Sequence, residues 1–174
     1  MPRINSAVEL EAFRKGLLSK KDPLKPRIAV CSGTGCLGLG NDRVIRAFEE
    51  EIKKRSLGSK VDLRVTGCHG FCEKGPLVVI HPDEICYVEV KPEDVPDIVG
   101  QTVIKKKVID RLVYSDPGTG EKAAHCAEIP FYAKQMRHLM GNNSRIDPKS
   151  IDEYIEHGGY AALSKALFEM SPVQ

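Results

Sequence analysis

Four cysteines in two short pairs restrict the fold of this chain more than any other feature. Cys31 and Cys36 bracket CSGTGC, Cys68 and Cys72 bracket CHGFC, and 31 residues separate the pairs. Each pair follows a run that reads as a strand. Arg27 to Cys31 is an apolar run of buried type, and Val61, Leu63 and Val65 alternate with Asp62, Arg64 and Thr66. Between them a helix is predicted from about Asp42 to Leu57, with Val44, Ala47, Phe48 and Ile52 on one stripe. Glu49, Glu50 and Glu51 each precede a basic residue by four positions, which supports that helix and marks no binding site. A parallel strand–helix–strand crossover is right-handed and leaves its two strands as neighbours, so the cysteines that follow them emerge at one sheet edge.

The stretch CSGTGCLGLG also contains G-x-G-x-x-G, at Gly33, Gly35 and Gly38. A dinucleotide-binding turn of that form needs an acidic residue at the end of the second strand to hold a ribose hydroxyl. Here the second strand ends in Thr66-Gly67-Cys68, and its one acid, Asp62, lies at the opposite end. A metal-ligating reading accounts for both loops, and the nucleotide reading for one.

Loops of four and three intervening residues are wider than the two-residue knuckles of structural zinc and suit a two-iron cluster. Glycine lets backbone amides approach a sulfide that a side chain would keep away, a role open to Gly33, Gly35, Gly38, Gly67 and Gly70. His69, between two of the cysteines, is either a neighbour of the cluster or a solvent-facing loop residue. Cys86 shares a strand face with Val88 and Val90 and reads as a small buried hydrophobe; Cys126, beside His125, is an idle thiol or a spare ligand. A thiol–disulfide enzyme would need C-x-x-C at a helix start, and no such pair occurs. Two other classes stay open: a structural zinc site, and a metal-free docking module. The chain shows no general acid–base pair and no nucleophile with an activating base, so no catalytic site of its own is expected.

The 26 Lys and Arg against 24 Asp and Glu leave no basic footprint for nucleic acid. The opening residues lack the apolar core of a signal peptide, no stretch is long enough for a spanning helix, and six cysteines without an export signal suit a reducing compartment. A soluble cytoplasmic protein with no membrane insertion is the expectation.

After the second cysteine pair, Leu77 to Ile80, the turn His81-Pro82-Asp83-Glu84 and Ile85 to Val90 predict a hairpin, and Pro92 opens a helix carrying Val95, Ile98 and Val99. The order strand, helix, strand, strand, strand, helix is that of a thioredoxin-like α/β domain over residues 27–100. Ser6 and Glu9 form a capping box for a short helix within an extension, residues 1–26, expected to pack on that core. Residues 101–129 read as a linker, and 130–174 as a helical tail: Pro130 to Met140, a helix opened by Asp147-Pro148, and Tyr160 to Met170.

Through CSGTGC and TGCHGFCEKGP, residues 27–100 resemble the thioredoxin-like [2Fe-2S] ferredoxins. The resemblance implies a [2Fe-2S] cluster held by Cys31, Cys36, Cys68 and Cys72, and one-electron transfer as the function. The tail, in RLVYSDPGTGE, IPFYAKQMRHLM, IDPKSIDEYIEHGGYAALSKAL and FEMSP, resembles the linker and opening helices of the NADH-binding flavoprotein subunit of complex I and of electron-bifurcating hydrogenases. That likeness implies FMN and NAD(P)H in a partner or in a region downstream. It also implies flavoprotein and other redox subunits, or a second copy of this chain, as partners.

Overall fold

The fold comes from a computed structural model, which describes residues 3–171 and 173. Met1, Pro2, Gln174 and Pro172 of the FEMSP stretch lie outside the described residues.

Ile28, Ala29 and Val30 are fully buried, as an all-apolar run must be if both its faces are covered. They form the centre of β1 (Arg27–Cys31). The strand β2 (Asp62–Thr66) pairs parallel to it on one side, with Cys31 level with Thr66, and β3 (Val78–His81) pairs antiparallel on the other. β4 (Ile85–Tyr87) completes the order β2-β1-β3-β4. The crossover helix is α3 (Asn41–Lys54), and before it the glycine loop winds into α2 (Thr34–Gly38), which periodicity does not reveal.

Side-chain alternation divides the core into two layers. On one face Ile28, Val30, Val78, Ile80 and Tyr87 pack on Val44, Phe48 and Ile52 of α3 and on Val95, Ile98, Val99 and Val103. The last four come from the helix after Pro92, α4 (Val95–Asp97), which continues as a wider π-type turn through Ile104. Each such fully buried aliphatic or phenyl group contributes ~1.5–3 kcal/mol as an upper figure. The Tyr87 hydroxyl lies 2.5 Å from Thr102 Oγ1 and accepts the Ile109 N–H at 3.1 Å, which locks the helix end to β4. On the other face Ala29, Cys31, Leu77, Val79, Cys86 and Val88 meet Tyr114, Ala123 and Ile129.

The expected linker is therefore structured. Val88 N–H donates to Leu112 C=O, Cys86 N–H to Ala124 C=O and Cys126 N–H to Glu84 C=O, so residues 112–126 pair along the free edge of β4. Within that segment β5 (Tyr114–Ser115) and β6 (Lys122–Ala123) form a small hairpin. Covering an edge satisfies backbone groups that β4 would otherwise leave open. The alternation expected to put Val90 beside Cys86 breaks at Glu89, whose φ of 52° turns Val90 into the first layer instead.

The helix expected over Pro130 to Met140 ends early, as α5 (Pro130–Ala133). Met136 and Leu139 are exposed, so a longer helix would have had no apolar surface to bury.

The segments up to Pro23 and from Pro148 form a second compact unit. There α1 (Ala7–Leu18) meets α6 (Ile151–Glu156) and α7 (Ala161–Glu169). Half of the capping box forms: Ser6 Oγ accepts the Glu9 N–H at 3.2 Å, whereas Glu9 Oε2 accepts the Asn5 N–H at 2.7 Å, one residue before the cap. Ser150 caps α6 through the Glu153 N–H, and Arg14 Nε donates to the Glu156 carbonyl at 3.2 Å. Among the described residues no helix is long and apolar enough to cross a membrane.

Candidate metal centre

The register of β1 on β2 brings the first cysteine of each loop to one sheet edge, because Cys31 ends β1 and Cys68 lies two residues past its partner Thr66. Cys31 and Cys36 are buried, Cys68 is half-buried and Cys72 is exposed. Cys68 and Cys72 stand with sulfurs 3.8 Å apart, and the His69 N–H between them in sequence donates to the Cys31 sulfur at 3.5 Å. The two predicted cysteine pairs thus lie on neighbouring loops at one sheet edge.

Glycine is what allows it. A Cβ on Gly33 would come within 2.8 Å of the Cys68 Cβ, and one on Gly35 within 3.0 Å of the Cys72 Cβ. The two loops interlock across these positions, and any side chain there would force them apart. Gly75 has the same part, since its Cβ would sit 2.8 Å from Cys36 Sγ, yet nothing in the spacing of the cysteines singles it out. The other expected glycines divide. Gly70 has φ of 93° and sends its N–H to Cys68 Sγ at 3.3 Å. Gly67 packs against Asn143, whose Nδ2 donates to the Cys68 carbonyl at 3.2 Å, and Gly38 has no close neighbour.

His69 is buried, not solvent-facing. Its Nε2 lies 2.7 Å from Thr66 Oγ1, so the ring is held by Thr66 while the backbone N–H donates to Cys31 Sγ at 3.5 Å. Burial first, then the Arg137 charge, lower its pKa to about 4, and the ring is neutral. Two further residues steady the loops without a signal in the cysteine pattern. Thr66 Oγ1 also bonds the Val30 carbonyl at 3.1 Å, and fully buried Asn41 donates from Nδ2 to the Cys31 carbonyl at 2.7 Å.

These contacts favour charge on sulfur. The hydrogen bond from Cys36, reinforced by the His69 and Gly33 N–H groups, lowers the Cys31 pKa from 9.0 to about 6 against the opposing effect of burial. The same shared proton raises Cys36, as does its burial, and Cys72 is raised by its hydrogen bond with Cys68.

The donor set can be weighed against two occupants. Structural zinc wants four ligands about one point. The sulfurs of Cys68 and Cys72 stand as a pair, and a two-iron cluster takes its cysteines in pairs. Four thiols, amide N–H groups aimed at sulfur and glycines that leave room for them suit a [2Fe-2S] cluster.

The aromatic wall beside the second loop comes from beyond the sheet domain foreseen in the sequence. Phe71 stacks on Phe131 with ring centroids 4.5 Å apart, and Tyr132 meets both rings edge-on. Part of the tail therefore covers the cysteine loop.

A two-layered α/β sheet carrying paired thiols at one edge defines an iron–sulfur electron carrier. The thioredoxin-like [2Fe-2S] ferredoxin family model matches residues 17–103, and the chain belongs to that family, whose cofactor is a [2Fe-2S] cluster. It is similar to a 2Fe-2S ferredoxin of Clostridium pasteurianum, 35% identical over 77 residues, which is 44% of this chain and 76% of the relative. A 2Fe-2S ferredoxin of Aquifex aeolicus is 38% identical over 81 residues, 46% of this chain and 73% of the relative. A solved thioredoxin-like [2Fe-2S] ferredoxin from Aquifex aeolicus aligns with a TM-score of 0.49 at 32% identity, covering 55% of this chain and 94% of that one.

Proposed function

We propose that Cys31, Cys36, Cys68 and Cys72 hold the cluster, and that the chain relays single electrons within an NAD(P)H-linked oxidoreductase complex, between a flavin and a partner redox centre. The observation that carries the ligand assignment is the interlock of the two loops, Gly33 on Cys68 and Gly35 on Cys72, with amide N–H groups of His69 and Gly70 directed at sulfur. When bound, the cluster supplies a centre that takes up and gives back one electron. The chain's own residues do the rest. Buried Cys31 and Cys36 keep one side out of water, and exposed Cys72 marks the side that a donor or acceptor approaches. Amide N–H groups stabilise negative charge on the thiolates and so tune the potential.

The likeness of the tail to the front of an NADH-binding flavoprotein subunit supports the complex, with FMN and NAD(P)H in a partner or downstream and the cytoplasm as its location. The exposed side chains of Leu163, Leu167 and Phe168 on α7 suit an assembly of this kind. Mixing the oxidised chain anaerobically with an FMN-containing NADH dehydrogenase module tests the reading. Flavin-dependent bleaching of the visible spectrum by NADH or NADPH supports it; reduction by dithionite with no response to either nicotinamide through the flavoprotein contradicts it.

A further inference from the structure

The second cysteine loop meets a cation that comes from beyond the sheet domain. Arg137 is half-buried, and its guanidinium lies 5.3 Å over the ring of Tyr132, which itself meets Phe71 of the loop edge-on. Its Nη2 donates to the Met140 carbonyl at 3.3 Å and stands 3.9 Å from the place a Cβ on Gly70 would take. Gly70 is the residue whose N–H reaches Cys68 Sγ at 3.3 Å. A ring face and a carbonyl thus seat the guanidinium against the backbone of the loop.

Nothing cancels this charge locally. Lys74, two residues past Cys72, has its ammonium 3.7 Å from Glu73 and 3.6 Å from Glu89. Arg145 lines the same cavity as Arg137 and His69, yet it lies 3.9 Å from Glu84, which the His81 ring also meets at 3.1 Å. Among the described residues Arg137 forms no ion pair with a carboxylate; its partners, the Tyr132 ring and the Met140 carbonyl, carry no net charge. The charge is felt within the loop, where after burial it is the next cause that keeps the His69 ring neutral.

A cluster that accepts an electron gains a negative charge, and an uncancelled cation nearby stabilises the reduced form over the oxidised one. The stacked rings of Phe71 and Phe131 beside the loop lower the local dielectric, so the attraction is screened less than at an open surface.

We propose that Arg137 sets the potential of the cluster: a charge carried on the tail segment favours the reduced state and makes the carrier a better electron acceptor. The inference rests on the assignment of the cluster to the four cysteines. It places part of the redox set-point outside residues 17–103, the part of the chain that the family model matches.

The test purifies the full chain anaerobically and reads the midpoint potential by visible absorption during a reductive titration, with iron assayed on the same sample. Arg137→Gln and Arg137→Met keep the stem and drop the charge. Each is expected to favour the oxidised state about tenfold at low salt, a fall of about 59 mV for one electron, with iron content and spectrum unchanged. Arg137→Lys restores more than half of that fall, and salt at about 1 M shrinks the difference between charged and neutral variants. Lys134→Gln removes a like charge from an exposed position on the same segment and moves the potential much less. An intact cluster whose potential is unmoved in Arg137→Gln and Arg137→Met, or displaced as far in Arg137→Lys, overturns the inference and leaves the cysteine assignment standing. Loss of the cluster in both neutral variants would give Arg137 a structural part and overturn it as well. An unsubstituted chain that binds no iron–sulfur cluster overturns both.

Discussion

Gly33 and Cys68 stand so close that a methyl group on Gly33 would approach the Cys68 Cβ to 2.8 Å and its sulfur to 3.0 Å. Neither partner can yield easily, since Gly33 lies between β1 and α2 while Cys68 follows β2. Gly33→Ala is expected to cost about 1–3 kcal/mol of stability and to lower cluster content. Gly38→Ala, with no neighbour within 4 Å, should leave both unchanged. Denaturant midpoints and the iron content of the two variants make the comparison, and equal losses in both would contradict the interlock.

The ligand assignment separates four cysteines from two. Serine at Cys31, Cys36, Cys68 or Cys72 should each remove most of the visible absorbance. Serine at Cys126 should leave it intact, and Cys86→Ser should keep the spectrum while losing about 1–3 kcal/mol, because a hydroxyl then replaces a fully buried thiol. A full spectrum in Cys68→Ser would count against the assignment.

Thr66 holds two partners, the Val30 carbonyl and the ring of His69. Thr66→Val strands a buried imidazole nitrogen, with an expected destabilisation of about 1–3 kcal/mol. The His69 N–H on Cys31 then loses its support, and the midpoint potential should move. Thr66→Ser keeps the hydroxyl and should restore most of that potential. A shift as large in Thr66→Ser as in Thr66→Val would show that the hydroxyl is not the cause.

Acid stability should depend on Glu84. The hydrogen bond from His81 Nδ1 at 3.1 Å, opposed by burial and aided by the Arg145 charge, lowers its pKa below 4.5. A carboxyl that is more acidic folded than unfolded adds stability above its unfolded value, and that stability is lost as pH falls through the folded value. The effect is modest, since the group is half-exposed. Urea midpoints at about pH 6 and about pH 4 should therefore fall less for Glu84→Gln than for the unsubstituted chain. Equal falls would remove Glu84 from the account.

The parts of the site legible in the sequence are those whose signals are local. Cysteine spacing, the apolar run into Cys31 and the alternation into Thr66 foretell two strands with their cysteine loops side by side. Glycines in CSGTGC foretell close approach, though not which sulfur each would meet. Thr66 reads as an ordinary strand residue and Asn41 as a helix opener, while His69 stands out only by its place between two cysteines, and the tertiary fold buries all three against the cysteine loops. Gly75 is hidden for the same reason, because its neighbour Cys36 is remote in sequence. Residues 101–129 read as a linker since their pairing uses two-residue strands and single bridges, too short for alternation to register. The grouping of α1 with α6 and α7 depends on contacts between distant segments that no periodicity encodes.

The most direct test is a reductive titration of the anaerobically purified full chain, followed by visible absorption and electron paramagnetic resonance, with iron and sulfide assayed on the same sample. The prediction is two irons and two sulfides per chain, bleaching on uptake of one electron, and a paramagnetic signal that appears only on reduction. A colourless protein that carries zinc or no metal, and stays so after reconstitution with iron and sulfide, would contradict it.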